Sequence, residues 1–234
     1  MIARSTWLAF PLLVLFACGE ATPPAKTADD APREEQDDRQ GVGVSSEIGG
    51  LDESKVDATF KSSLGALQRC LDQGSSRVEF LGGAVAFFVK IDTSGQVDGA
   101  YLEKSTLGDR TTEKCMLDAL RGKKWPKPVG GEHGLARKSF DFDPPSDVRP
   151  PADYDRDHLN KGLAKISDKL AACKPSGGSY EATIYVGTDG AVLAAGVTPP
   201  DENGEDAVDC LVSALKDADF PSPGSWPAKV TFGL

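Results

Sequence analysis

The chain is poor in the residues that most catalytic and metal sites are built from. It has two histidines in 234 residues. Neither His133 nor His158 stands in a His-x-x-x-His or Cys-x-x-Cys setting, so a zinc site has no ligand set to start from. No Gly-x-Ser-x-Gly elbow presents a nucleophilic serine. No phosphate-cradling glycine loop follows a strand, since Gly41-Val42-Gly43 lies in a stretch without apolar periodicity. Asp92-Thr93-Ser94-Gly95-Gln96-Val97-Asp98 lacks the sixth-position Gly and terminal Glu of a calcium loop and reads as a hairpin turn. The apolar run Trp7 to Ala17 is about half of the ~20 residues that a spanning helix needs. There is no basic stripe either. Lys plus Arg number 26 against 36 acidic residues, net −10, a poor balance for neutralising nucleic-acid phosphates. The one local positive cluster, Arg121, Lys123, Lys124 and Lys127, reads as a solvated loop. These absences predict no metal, no cofactor, no catalytic residue and no nucleic-acid partner: a protein that is not an enzyme.

What the chain does have is a stretch that occurs twice. Gly95 to Cys115 and Gly190 to Cys210 are both 20 residues. From those cysteines to Trp125 and Phe220 is 10 residues in each copy, and Pro-x-Pro follows at once. Three shared offsets mark an internal duplication. The register extends backward. Val56, Phe60 and Leu67 stand 14, 10 and 3 residues before Cys70, and Leu159, Leu163 and Leu170 stand at the same steps before Cys173.

Within each copy the periodicities follow one order. Ser54 with Asp57 reads as a helix start, and Val56, Phe60, Leu64, Leu67 and Leu71 recur at helical spacing until Gln73-Gly74-Ser75-Ser76. Phe87, Val89 and Ile91 alternate as a strand, turn at Thr93-Ser94-Gly95 and return from Val97 to Glu103. A second helix spans Glu113 to Leu120, and Phe140 and Phe142 alternate in a closing strand. In the second copy Ile184 and Val186 precede the Thr188-Asp189-Gly190 turn, Asp206 to Leu215 is the helix, and Val230, Phe232 and Leu234 close. The expectation is an α+β chain of two tandem α-β-β-α-β repeats. Each is a small three-stranded antiparallel sheet with two helices packed on one face. The repeats span 51–143 and 154–234. Between them, 144–153 with Pro144, Pro145, Pro150 and Pro151 reads as a stiff linker and domain boundary. The first repeat carries 14 basic and 14 acidic residues, the second 7 and 12, so the acidity is uneven.

Cys70, Cys115, Cys173 and Cys210 fall two to each repeat. Even numbers in an exported chain read as disulfides, and four cysteines allow three pairings. The duplication selects Cys70–Cys115 and Cys173–Cys210, one bridge inside each unit. Separations of 45 and 37 residues suit structural bridges better than a redox pair. Trp125 and Phe220 are core plugs held by their prolines, or, in the sharper alternative, aromatics that contact a partner.

Leu15-Phe16-Ala17-Cys18 resembles the bacterial lipobox, with Leu three places before the cysteine and a small residue directly before it. Phe16 is a less usual occupant of its place. The resemblance implies a lipoprotein signal peptide over 1–18. Cys18 would then be the mature N-terminus and the site of lipidation by diacylglycerol and palmitate. Gly19 after it implies the outer membrane, with the protein facing the periplasm. Residues 19–50, which include the run from Asp29 to Arg39, are charged and without core-forming periodicity. They read as a disordered acidic tether.

The order of elements, the hairpin glycine and the aromatic-Pro-x-Pro before the last strand resemble the C-terminal domain of TonB-type energy transducers. The cysteines late in the first helix and early in the second are similar to those of the cysteine-bearing TonB-like domains of myxobacterial envelope proteins. The resemblance covers 51–143 and 154–234. It implies an envelope binding or assembly module whose partner is an extended peptide or envelope protein, added to a sheet edge or met at the face between repeats. The other expectation is a structural or regulatory component whose two repeats close each other's edges and bind no peptide.

Overall fold

Among the described residues the periodicities become four α-helices and two sheets, a mixed α+β fold. The computed structural model describes residues 48–174 and 178–234. A two-residue strand, β1 (Ile48–Gly49), leads into α1 (Glu53–Ser75). The hairpin β2 (Gly83–Asp92) and β3 (Val97–Ser105) follows, then α2 (Arg110–Arg121) and β4 (His133–Phe142). The same order then recurs. β5 (Ala152–Asp153) precedes α3 (Arg156–Cys173), the hairpin β6 (Glu181–Val186) and β7 (Val192–Thr198), α4 (Glu205–Lys216) and β8 (Ala228–Gly233).

Each sheet has four strands rather than the expected three. The orders are β1-β4-β2-β3 and β5-β8-β6-β7. The additional strand is the extended residue pair ahead of each first helix, laid parallel on the closing strand. Ile48 and Gly49 pair with His133 and Gly134, and Ala152 and Asp153 pair with Ala228 and Lys229. The second of these lies in the proline-rich linker, so that linker is more than a spacer. It is also pinned by Trp226, whose Nε1–H donates to the Pro150 carbonyl at 3.0 Å while the Arg149 guanidinium stacks 4.9 Å from the ring centroid. All the described residues belong to one compact unit.

Helix starts differ from the sequence reading by a few residues, for local reasons. Asp52, not Ser54, caps α1, accepting from the Lys55 N–H at 3.2 Å while Ser54 Oγ donates to it. α2 starts three residues before Glu113 because Asp109, with extended backbone, takes the N-cap place and its carbonyl accepts the Glu113 N–H at 3.0 Å. Behind the helices two cores form. In the first, Phe60, Leu67, Phe87, Val89, Met116, Leu117 and Trp125 interdigitate. In the second, Leu159, Ile166, Ile184, Val186, Leu211, Leu215 and Phe220 do so. The disulfides Cys70–Cys115 and Cys173–Cys210 join the end of one helix to the next, with Cα atoms 5.7 and 5.6 Å apart. Each bridge closes a loop long enough to stabilise by about 4 kcal/mol on the chain-entropy estimate.

The twice-repeated offset now has a physical cause. Gly95 and Gly190 adopt φ of +81° and +88° in the hairpin turns. Their carbonyls accept the N–H of Trp125 and of Phe220, both at 3.0 Å. A Cβ on Gly95 would stand 2.5 Å from the Trp125 carbonyl oxygen, and the same oxygen of Phe220 takes that place at Gly190. The turn therefore holds the backbone of the aromatic, the aromatic fills the core, and both spacings are fixed together. Gly95→Ala or Gly190→Ala is expected to cost about 2 kcal/mol or more, because left-handed strain and a backbone clash act at once. The urea midpoint of each variant checks this.

Candidate docking edges and the seam between the halves

The fate of each sheet edge decides what the molecule is able to hold. β3 and β7 are the last strands of their sheets; β7 is covered where the halves meet, and β3 is covered over its middle while Asp98, Glu103 and Lys104 stay exposed. β7 is buried along its length except at Leu193. β3 is approached at Gly99 by the side chain of Glu202, and its Ala100 carbonyl accepts from Arg121 Nη2 at 2.7 Å. The opposite edges differ. β4 is flanked by β1 only at His133 and Gly134. From Leu135 to Phe142 no strand lies beside it among the described residues. β8 is flanked by β5 only at Ala228 and Lys229, leaving Val230 to Gly233 open in the same sense.

Each open edge borders a groove against the first helix of its own half. One groove, of ≈ 590 Å³, lies between α1 and β4 and is lined by Asp57, Phe60, Lys61 and Leu64 with Lys138 and Phe140. The other, ≈ 410 Å³, lies between α3 and β8 and is lined by Asn160, Leu163, Ala164 and Ser167 with Gly233 and Leu234. Counted back from Cys70 and Cys173, four of the helix residues in each groove stand at the same positions, 13, 10, 9 and 6 before the cysteine. The first groove is rimmed by charge, with Lys138 Nζ 2.8 Å from Asp57. The second carries only Lys174.

The seam itself is both apolar and charged. Tyr185 and Ala194 of the second half pack into the core of the first, so the two share apolar contacts across the boundary. Tyr185 Oη donates to the Gly82 carbonyl at 3.2 Å, and Lys229 Nζ donates to the same oxygen at 2.7 Å. Burial pulls the Lys229 ammonium down to about 8 and pushes the Tyr185 phenol above its ordinary value. Arg110 reaches across from α2 to α4, 2.7 Å from both Glu205 Oε1 and Asp209 Oδ1, and Lys114 also reaches Asp209 at 3.0 Å. Hydrogen bonds from Arg110 and Lys114 hold the Asp209 carboxyl below the usual range.

Of the residues singled out from sequence, the four cysteines form their two bridges, while Cys18 lies outside the described residues. Trp125 and Phe220 are 3% and 4% exposed, which corrects their reading as partner-contact aromatics. Trp125 packs edge-on against Phe60 with its Nε1–H on the Leu120 carbonyl, and Phe220 packs on Tyr154 and against Gly162. Asp92 folds the hairpin turn, accepting from the Ser94 and Gln96 N–H groups. These bonds, that from Gln96 foremost, lower its carboxyl. His133 faces Asp98 at 3.2 Å. Among the described residues no group of three or more His, Cys, Asp or Glu is placed to hold a metal, and no helix is long and apolar enough to cross a membrane. Sequence reasoning missed Glu113, Lys229, Tyr185 and Arg110. For Arg110 alone there was a signal, opposite charges at equivalent places: Arg110 and Glu205 both stand five residues before their cysteine, Lys114 and Asp209 one before.

Comparison with protein-family models, with curated proteins and with solved structures finds no match. The geometry therefore carries the functional argument alone. The Arg110 clasp is mostly buried, at 11% side-chain exposure, whereas Asp209 is 59% exposed. Arg110→Ala should accordingly destabilise the chain by about 2 kcal/mol, less than a fully buried pair would cost. Chemical unfolding of the variant beside Arg110→Lys, which keeps the charge but loses the fork, measures it.

Proposed function

We propose that the chain is a lipid-anchored cell-envelope binding module that takes an extended segment of another envelope protein as an added strand. On this reading residues 1–18 are a signal peptide, and Cys18 carries the lipid that holds the protein at the outer membrane. Residues 19–47 are the tether, shorter than the expected 19–50 because Ile48 and Gly49 are paired on β4. The two halves are tandem TonB C-terminal-like repeats facing the periplasm, and they bind rather than catalyse.

The observation that carries the reading is the open outer edge of β4 beside an apolar groove. An unpaired edge presents N–H and C=O groups that only another extended chain satisfies in full. Side chains of an added strand alternate between faces, so every second one would enter the groove over Phe60, Leu64 and Phe140. β1 already lies on the N-terminal end of this edge, in parallel. An entering strand of the same polarity would continue it along Leu135 to Phe142. Arg137, Lys138 and Asp141 stand exposed on β4, the charged decoration that discourages edge-to-edge self-pairing.

The structural reading, in which the halves close each other and bind no peptide, is favoured by one observation, the burial of β7 and of the middle of β3 from Ala100 to Leu102. The two readings part at β4 and β8. Backbone resonances of the isotope-labelled protein, titrated with extended peptides from periplasmic segments of outer-membrane proteins, separate them. Binding is expected to shift Leu135–Phe142 and to slow their amide exchange. Leu64→Asp is expected to weaken it at least tenfold. Because Leu64 is 40% exposed, that variant should stay within about 1 kcal/mol of wild-type stability. If neither β4 nor β8 responds to any peptide, the structural reading replaces this one.

A further inference from the structure

Glu113 is 1% exposed and lies where the second sheet meets the first half. Ser105 Oγ, from β3, donates to its Oε1 at 2.6 Å, while Oε2 is buried and meets no donor. The groups around it come from every element of the seam. The turn before α2 brings the Gly108 N–H and the Asp109 carboxylate. Its own helix brings Arg110, whose guanidinium is already engaged by Glu205 and Asp209 of α4. β6 brings Tyr185, and β8 brings Lys229, both hydrogen-bonded to Gly82 instead. From β7 there is only Gly196, on which a Cβ would stand 2.6 Å from Glu113 Oε1. A carboxylate here would be buried, short of one hydrogen bond and without a cation of its own.

We propose that Glu113 is a proton-controlled latch on the seam: protonated, it holds the second sheet against the first half, and ionised, it drives the seam toward local opening. The inference is independent of the strand-addition reading. Burial is the main cause that pushes this carboxyl up to about 7 from an ordinary 4.5, against the opposing pull of Ser105 and Arg110. The docked form therefore holds a proton that the opened form releases across that window. The docking free energy from this group is fully present below the ordinary value and is lost as pH rises through about 7. Lys229 acts in the other sense, since burial disfavours its charge, but only from about pH 8 upward. Between these limits the latch loosens as pH rises. Opening would release the edges of β3 and β7, the pair that the closed seam covers.

Amide hydrogen exchange of the full chain with both disulfides intact, at pH 5.5 and 8.0 and corrected for intrinsic rates, tests the latch. In the wild type, protection of β6 and β7 is expected to fall by on the order of tenfold or more between the two. In Glu113→Gln, neutral at both pH values and nearly the same shape, it should not fall. The comparison cancels the titrations that do not feel Glu113; Lys229, whose charged form the Glu113 charge favours, is the coupled exception. Equal loss in both proteins, or none in the wild type, overturns the latch. The Glu113 carboxyl resonance of the wild type, followed against pH, decides the matter without any variant: a midpoint near 4.5 refutes it and one near 7 supports it.

Discussion

A sheet has two faces, and two helices of its own half cover only one of them. The first half finishes its outer face largely from its own residues. Arg137 stacks 4.7 Å over Phe88, whose ring lies 4.8 Å from that of Tyr101. At the equivalent places the second half has Thr183, Thr231 and Gly196, residues too small to cover anything. That face is closed by the first half instead, through Gly108 against Thr183 and Tyr185 and through Glu113 against Gly196. The second sheet therefore depends on its neighbour for burial, and the two halves are unequal in spite of their common order. This asymmetry decides which edges remain. Docking one face consumes β3 and β7 and leaves β4 and β8 on the outside.

Much of this was legible in the chain because the core obeys local periods. Leu67 and Leu170, or Val89 and Ile184, face inward by spacing alone, and the duplication doubled the signal at every such position. The same logic chose the disulfide partners from the two equivalent cysteine pairs. The fourth strands were not legible. Ile48–Gly49 and Ala152–Asp153 are two residues long, with no period to display, and become strands only because β4 and β8 offer an unsatisfied edge nearby. The burial of Trp125 and Phe220 was readable as one of two options, and the backbone bond from each to its hairpin glycine decides between them. The seam was hidden for another reason. Glu113 and Lys229 look like surface charges in sequence, and nothing local reports that another half of the chain will be laid over them.

The charges at the seam also disfavour the pairing of like halves. Arg110 faces Glu205, and these stand at the same offset from Cys115 and Cys210, as do Lys114 and Asp209. If two first halves met through this surface, Arg110 and Lys114 would confront their own copies. If two second halves met, Glu205 and Asp209 would do the same. Like charges held together cost more than exposed opposite charges return, so this arrangement selects a partner more than it adds stability. The position of Glu113 sharpens the point. Two residues before its cysteine the second half has Val208, buried in its own core, while the first half has a carboxyl turned toward its neighbour. A position that serves packing in one copy serves the relation between copies in the other. The apolar contacts of Tyr185 and Ala194 supply the attraction, the charge reversal supplies the choice, and the buried carboxyl sets the conditions under which the choice holds.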